Sequence, residues 1–172
     1  LKVLPVWHAP PRDAPVPAGV QDDDDGPQAR IGKALHRLLE WGQCTPAHGM
    51  AAAREFGLSP DQLAHAWEMA QRIRTGSGAW VWDPAVVDWQ GAEVELSDQG
   101  QLLRLDRLVR RRDTGDWWVL DFKSARQPQL QPDLVAQLQA YRRVVQTIHP
   151  AQRVCAAFLT GDGALVPLAD PD

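Results

Sequence analysis

Cysteine is scarce in this chain: Cys44 and Cys155 are the only two among 172 residues. Two thiols so far apart do not make a disulfide framework, and they cannot supply a four-cysteine zinc or iron–sulfur site. The expectation is a reduced, cytoplasmic setting. Long apolar runs are missing as well. None approaches the roughly 20 residues of a membrane helix, and the start carries no signal-peptide pattern. No Walker-type phosphate loop occurs, so any ATPase lies outside this sequence. There are no internal repeats. The first residue is Leu1 rather than Met, and the chain reads as a piece of something longer. What remains fits one domain, large enough to bury a core without covalent staples.

The formal net charge of −4 argues at first against a nucleic-acid partner, but the charges are unevenly distributed. Residues 101–153 hold nine Arg and one Lys against five Asp, whereas residues 1–100 hold eight basic against fourteen acidic side chains. A locally basic segment is what phosphate binding requires, whatever the total. The alternative for such arginines is a solvated face.

Residues 1–28 are proline-rich (Pro5, Pro10, Pro11, Pro15, Pro17) and carry the run Asp22-Asp23-Asp24-Asp25. They read as a flexible linker, with the four aspartates solvated rather than metal-bound. Residues 29–172 read as the folded domain. Apolar periodicity predicts a helix over Ala29–Trp41, with Ile31, Leu35, Leu38 and Leu39 on its stripe and His36 beside it. A short helix is expected over Ala47–Phe56. Ser59-Pro60-Asp61-Gln62 is a helix start, with Ser at the N-cap, Pro first in the helix and Gln placed for a capping box. That helix should run to about Arg74 and stop at Gly76-Ser77-Gly78. Trp80, Trp82 and Trp89 follow and read as core aromatics, with stacking on DNA the alternative for one or two of them; Pro84 starts a turn or short helix. The period then becomes two, predicting strands over Ala92–Leu96, Gln101–Arg110 and Trp117–Lys123, with a turn at Arg112–Asp116. An amphipathic helix over Leu134–Ile148 presents Leu134, Leu138, Val145 and Ile148. Strands over Arg153–Leu159 and Ala164–Leu168 complete an α/β layer arrangement.

The third strand carries the chemistry. Alternation puts Trp117, Val119, Asp121 and Lys123 on one face and Trp118, Leu120 and Phe122 on the other. An acid and an amine thus share a face two residues apart. The hairpin brings Asp106, in Leu103-Arg104-Leu105-Asp106, near Asp121. Two neighbouring carboxylates repel unless a cation lies between them, and hard oxygen ligands suit Mg²⁺ or Mn²⁺. Taken alone, Asp-x-Lys on a strand is better explained by a surface salt bridge.

The ordered set is more specific than any member. Gly32-Lys33-Ala34-Leu35-His36, the Glu of Ala92-Glu93-Val94-Glu95-Leu96, Leu-Arg-Leu-Asp106, Leu-Asp121-Phe-Lys123-Ser and Gln137-Leu-Gln-Ala-Tyr141 follow one another. From about Ala29 to Leu168 the chain resembles the RecB-type branch of the PD-(D/E)XK nuclease superfamily, found at the C-terminus of bacterial UvrD/RecB-like helicase–nuclease subunits. The resemblance implies a restriction-endonuclease-like fold, a central mixed sheet flanked by helices with a helical segment at its start. It implies a metal held by His36, Asp106, Asp121 and the Phe122 carbonyl, with Mg²⁺ or Mn²⁺ as cofactor. Lys123 resembles the lysine that positions water and offsets phosphate charge, and Glu93, rather than Glu95, the first-strand glutamate. Gln137 and Tyr141, four apart on one helix face, resemble the family's Gln-x-x-x-Tyr pair near DNA, where Arg104 and Arg126 are also expected. One departure is Leu103, where the family usually has Gly three residues before the first strand Asp.

The implied activity is divalent-metal-dependent hydrolysis of DNA, exonucleolytic on single-stranded ends, within a helicase–nuclease of repair and recombination. The implied partners are DNA and a helicase motor. A second reading keeps the fold as a catalytically silent DNA-binding or scaffold module. A CRISPR-type RecB-like exonuclease would carry a four-cysteine cluster, and the count of two cysteines argues against that reading.

Overall fold

The computed structural model describes residues 26–42 and 44–169. Most of the expected linker, including Asp22–Asp25, lies outside the described residues. Helix α1 spans Pro27–Glu40, α2 Pro46–Phe56 and α3 Pro60–Thr75. A 3₁₀ turn over Ala79–Trp82 leads into five strands and a fourth helix: β1 Val87–Asp98, β2 Gln101–Arg111, β3 Trp117–Lys123, α4 Pro132–Ile148, β4 Val154–Thr160 and β5 Leu165–Pro167.

Local chemistry accounts for the helix starts. Pro27, Pro46 and Pro60 each occupy a first-turn position, where a missing N–H costs nothing. The expected box at Ser59 forms: Ser59 Oγ accepts from Gln62 N at 3.3 Å, and Ser59 N donates to Gln62 Oε1 at 2.9 Å. Thr45 and His48 build a second box ahead of α2, with the imidazole Nδ1 accepting from Thr45 N at 3.3 Å.

The sheet runs in chain order, β1-β2-β3-β4-β5. The first three strands form an antiparallel meander. Strand β4 lies parallel to β3, which requires the crossover that α4 provides. Strand β5 closes the sheet as an antiparallel edge. Helices α1 and α3 cover one face, packing Leu35, Leu38, Leu39 and Ile73 against Val109, Leu120, Phe122, Ala157 and Leu159. Helix α4 covers the other, setting Leu138 and Val145 against Leu108, Trp117, Val119 and Phe158. Every residue of β4 is buried, as expected of a strand covered on both sides. This is the restriction-endonuclease-like architecture expected from the sequence.

Three sequence-based expectations need correction. Strand β1 starts five residues earlier than expected, because Gly91 does not interrupt its pairing with β2; Gly91 faces Leu108 and a register shift is absorbed between Val87 and Trp89. Trp80 and Trp82 lie in the 3₁₀ turn and pack on the core, but Trp89 is 43% exposed. Ile148, expected on the α4 stripe, is 52% exposed because it is the last residue of the helix, and the buried stripe ends at Val145.

Candidate active site

The site lies where β2 and β3 separate. Their pairing ends at Arg107–Leu120, while β3 continues beside β4 to Lys123. Asp106 fills the wedge: its Oδ2 accepts from the Phe122 backbone N–H at 2.7 Å, in place of the next rung of the ladder. Its other oxygen, Oδ1, lies 3.3 Å from His36 Nδ1. The far side of that imidazole, Nε2, is 2.9 Å from the Phe122 carbonyl oxygen. Helix α1 thus holds His36 over the fork between two acceptors.

Strict alternation does not produce this arrangement. In β2, Leu108 and Leu105 pack on the α4 side. Asp106 and Arg107, consecutive between them, both turn to the opposite side, one to His36 on α1 and the other to Val81 O. Strand β1 breaks its alternation on the same rung. Gln90 meets Arg107 there, Val94 packs toward α4, and Glu93 between them adopts φ +49°. A non-glycine residue in the left-handed region carries a cost of about 1–3 kcal/mol. Here it turns the Glu93 carboxylate toward His36 and Asp106, and ligand atoms of these three residues lie within 4.8 Å of one another. Arg104 pairs with Glu93 at 2.6 Å and is otherwise exposed.

Asp121 and Lys123 reach the fork from the α4 side. Lys123 Nζ lies 2.9 Å from Asp121 Oδ2, an oxygen shielded from solvent and without a well-directed hydrogen bond. Burial, and next the Asp106 carboxylate, push the Asp121 carboxyl up to about 6; Lys123 works against them. Asp106 behaves oppositely. Burial favours its neutral form, but His36, the Phe122 amide and Lys123 outweigh burial and hold its pKa below the ordinary value. Burial would lower the His36 pKa, yet Asp106 and then Asp121 win and raise it. Burial also raises the Glu93 pKa. Three carboxyls and one imidazole with divided pKa values, in a partly enclosed site, are the pattern that catalytic centres commonly show.

Tyr141 and Gln137 stand one helical turn apart on α4, with the Gln137 side chain close enough to Tyr141 to influence its hydroxyl. Burial, then the charges of Asp121 and Asp106, keep the Tyr141 hydroxyl protonated by raising its pKa. Arg126 lies in the exposed loop after β3, near Asp162. In front of His36 opens a cavity of about 420 Å³ lined by Lys33, His36, Glu40, Glu93, Glu95 and Arg104. Glu40, one turn after His36, had no sequence signal beyond that spacing.

The donor set suits a divalent cation. Ligand atoms of an imidazole and two carboxylates gather within 4.8 Å of one another, a backbone carbonyl adjoins them, and a shielded carboxylate oxygen of Asp121 lacks a directed donor. Among the described residues no helix is long and apolar enough to cross a membrane. No curated protein matches the chain. A family model for the PD-(D/E)XK nuclease superfamily matches residues 14–165. With the mixed sheet, the forked strands and the acid–acid–lysine arrangement already in place, that match over most of its length means that the chain belongs to the PD-(D/E)XK nuclease superfamily.

Proposed function

We propose that this domain is a Mg²⁺- or Mn²⁺-dependent deoxyribonuclease, cutting phosphodiester bonds at single-stranded DNA ends. The observation that carries the reading is the gathering of His36, Glu93 and Asp106 within 4.8 Å of one another, beside the Asp121–Lys123 pair. His36, Asp106, Asp121 and the Phe122 carbonyl would hold the cation, with Glu93 at its edge. A bound cation would supply Lewis-acid polarisation of the phosphate and a water of lowered pKa. Lys123 Nζ offers the positive charge that orients a water and offsets charge growing on the phosphate oxygens. Asp121 holds that ammonium in place. Hydrolysis adds one water across the P–O bond, leaving a phosphomonoester and a hydroxyl. Tyr141, Gln137, Arg104 and Arg126 would position the strand from the rim. Residues 1–28 would be the tether to a helicase motor in a machine of repair and recombination. The order of the five motifs supports that RecB-type placement.

Labelled single-stranded DNA incubated with the wild type, Asp121→Ala and Lys123→Ala tests the reading. The wild type should cut only with Mg²⁺ or Mn²⁺, and each variant should lose at least about a hundredfold in rate. Equal, metal-independent cleavage by all three would sink it. Metal-independent DNA binding with no cleavage would favour the silent-module reading instead.

A further inference from the structure

A second cavity, of about 550 Å³, adjoins the first and shares Glu40 as a wall. It is lined by Trp41, His48, Arg74, Trp82, Gln90 and Arg107. Its chemistry differs from that of the carboxylate-rich fork. Arg107 is 4% exposed and sits 4.9 Å above the Trp82 ring; Arg74 sits 5.0 Å from the same ring. Arg107 donates from Nε and Nη2 to Val81 O and from Nη2 to Gln90 Oε1, all neutral acceptors. Its Nη1 makes no hydrogen bond among the described residues. Arg74 Nη1 and Trp82 Nε1 are shielded from solvent and likewise have no acceptor there. Neither guanidinium has a carboxylate partner among the described residues, and Glu40 on the shared wall is paired with Arg37 instead.

Two guanidiniums stacked on one indole, with no counter-charge among the described residues, are a costly arrangement for a stability role alone. A neutral side chain of similar size at position 107 could fill the same space. The arrangement becomes favourable when an anion enters, because guanidinium bonds to phosphate are charge-assisted and directional. The aromatic lining narrows the choice of anion. Trp41 and His48, with ring centroids 4.9 Å apart, are in the lining, as is Trp82. Such rings accept a planar base by stacking, and the cavity is within the usual size of ligand sites. The position narrows it again. Gly91 and Ala92 line this cavity and Glu93, the next residue, lines the other. A base inserted here cannot remain paired or stacked in a duplex.

We propose that this cavity is a subsite for one unpaired nucleotide of the DNA strand, next to the scissile phosphate. Its phosphate is held by Arg74 and Arg107 and its base by Trp41 and His48. The proposal rests on the nuclease reading for its substrate, but not on cleavage for its test. It also assigns a device for selecting single-stranded ends.

The experiment measures binding of a fluorescent oligo-dT to the full chain carrying Asp121→Asn, in chelator, across a salt series. Arg74→Gln in that background should weaken binding about tenfold, as expected for one charge-assisted contact. It should also flatten the slope of log affinity against log salt by about 0.7, one phosphate contact to a single strand. Trp41→Leu should weaken binding by a similar factor, about tenfold, while leaving the salt slope unchanged. Blunt duplex affinity should be insensitive to both. Arg143→Gln, a cation on the exposed side of α4, serves as a control and should change nothing in the oligo-dT series. Unaltered affinity and slope in Arg74→Gln, with unfolding profiles matched to the parent, overturn the subsite even if the wild type cuts DNA. Binding lost in Arg74→Gln and Trp41→Leu, in a protein that never cuts with any metal, overturns the nuclease reading and leaves the subsite standing.

Discussion

Asp121 offers the sharpest test of the electrostatics. Its carboxyl is pushed up to about 6 from an ordinary 3.8, first by burial and next by the Asp106 charge. The folded, metal-free protein therefore binds this proton more tightly than the unfolded chain does. Stability contributed by the protonated form is present below about pH 4 and is lost as pH rises through about 6. At about 1.4 kcal/mol per pKa unit, the ionised carboxylate costs the fold up to about 3 kcal/mol at pH 8. Asparagine keeps the shape, removes the charge and retains an oxygen that Lys123 can donate to. Asp121→Asn should be more stable than the wild type by about 1–3 kcal/mol at pH 8 in chelator, a rise in Tm of roughly 3–8 °C for a domain of this size. The two proteins should converge near pH 4. Adding Mn²⁺ should reverse the order, because a cation that binds only the folded state stabilises the chain that holds it better. Urea or thermal unfolding followed by circular dichroism at several pH values reads all of this. If Asp121→Asn is less stable than the wild type at pH 8 in chelator, with the same pH profile, the carboxylate is not strained by its surroundings and the reasoning fails.

Other perturbations probe the frame around the site. Glu93 holds φ +49° in β1, so Glu93→Gly should be more stable than Glu95→Gly by about 1–2 kcal/mol, read by chemical denaturation. His36→Ala removes one ligand of the proposed centre and should weaken Mn²⁺ binding at least about tenfold in calorimetry, with secondary structure retained. A Cβ on Gly76 would stand 2.0 Å from the Gly163 carbonyl oxygen, so Gly76→Ala should destabilise by about 1–3 kcal/mol, and unchanged stability would show that this close approach relaxes freely. Phe158 is fully buried in the centre of β4, and Phe158→Ala should cost about 3–5 kcal/mol in unfolding free energy.

Much of the molecule was legible in one dimension. Apolar periods, prolines and the Ser59–Gln62 box located all four helices to within a few residues, because these signals act between neighbours in the chain. The period of two in β3 placed Asp121 and Lys123 on one face, and the structure pairs them there. The basic middle segment was visible in composition, but its meaning was not. Arg107, counted with the solvated arginines as one possibility, is instead buried above Trp82. Burial of a charge depends on which walls surround it, and those walls come from α1, α3, β1 and the 3₁₀ turn, far apart in the sequence.

The chain itself determined which residue types stand at which spacing along each element, and hence the strand bearing Asp121 and Lys123. Only the tertiary structure decided that Asp106 would leave that strand's face. Alternation carried through the hairpin sets Asp106 opposite Asp121. The parting of β2 from β3 after Leu120 turns its carboxylate onto the Phe122 amide and toward His36 instead. The left-handed turn at Glu93 on the same rung brings a further carboxylate beside them. A period of two is a property of an unbroken ladder. Where two strands separate, the orphaned backbone groups must find new partners, and at this fork the side chain of Asp106 is the partner they find.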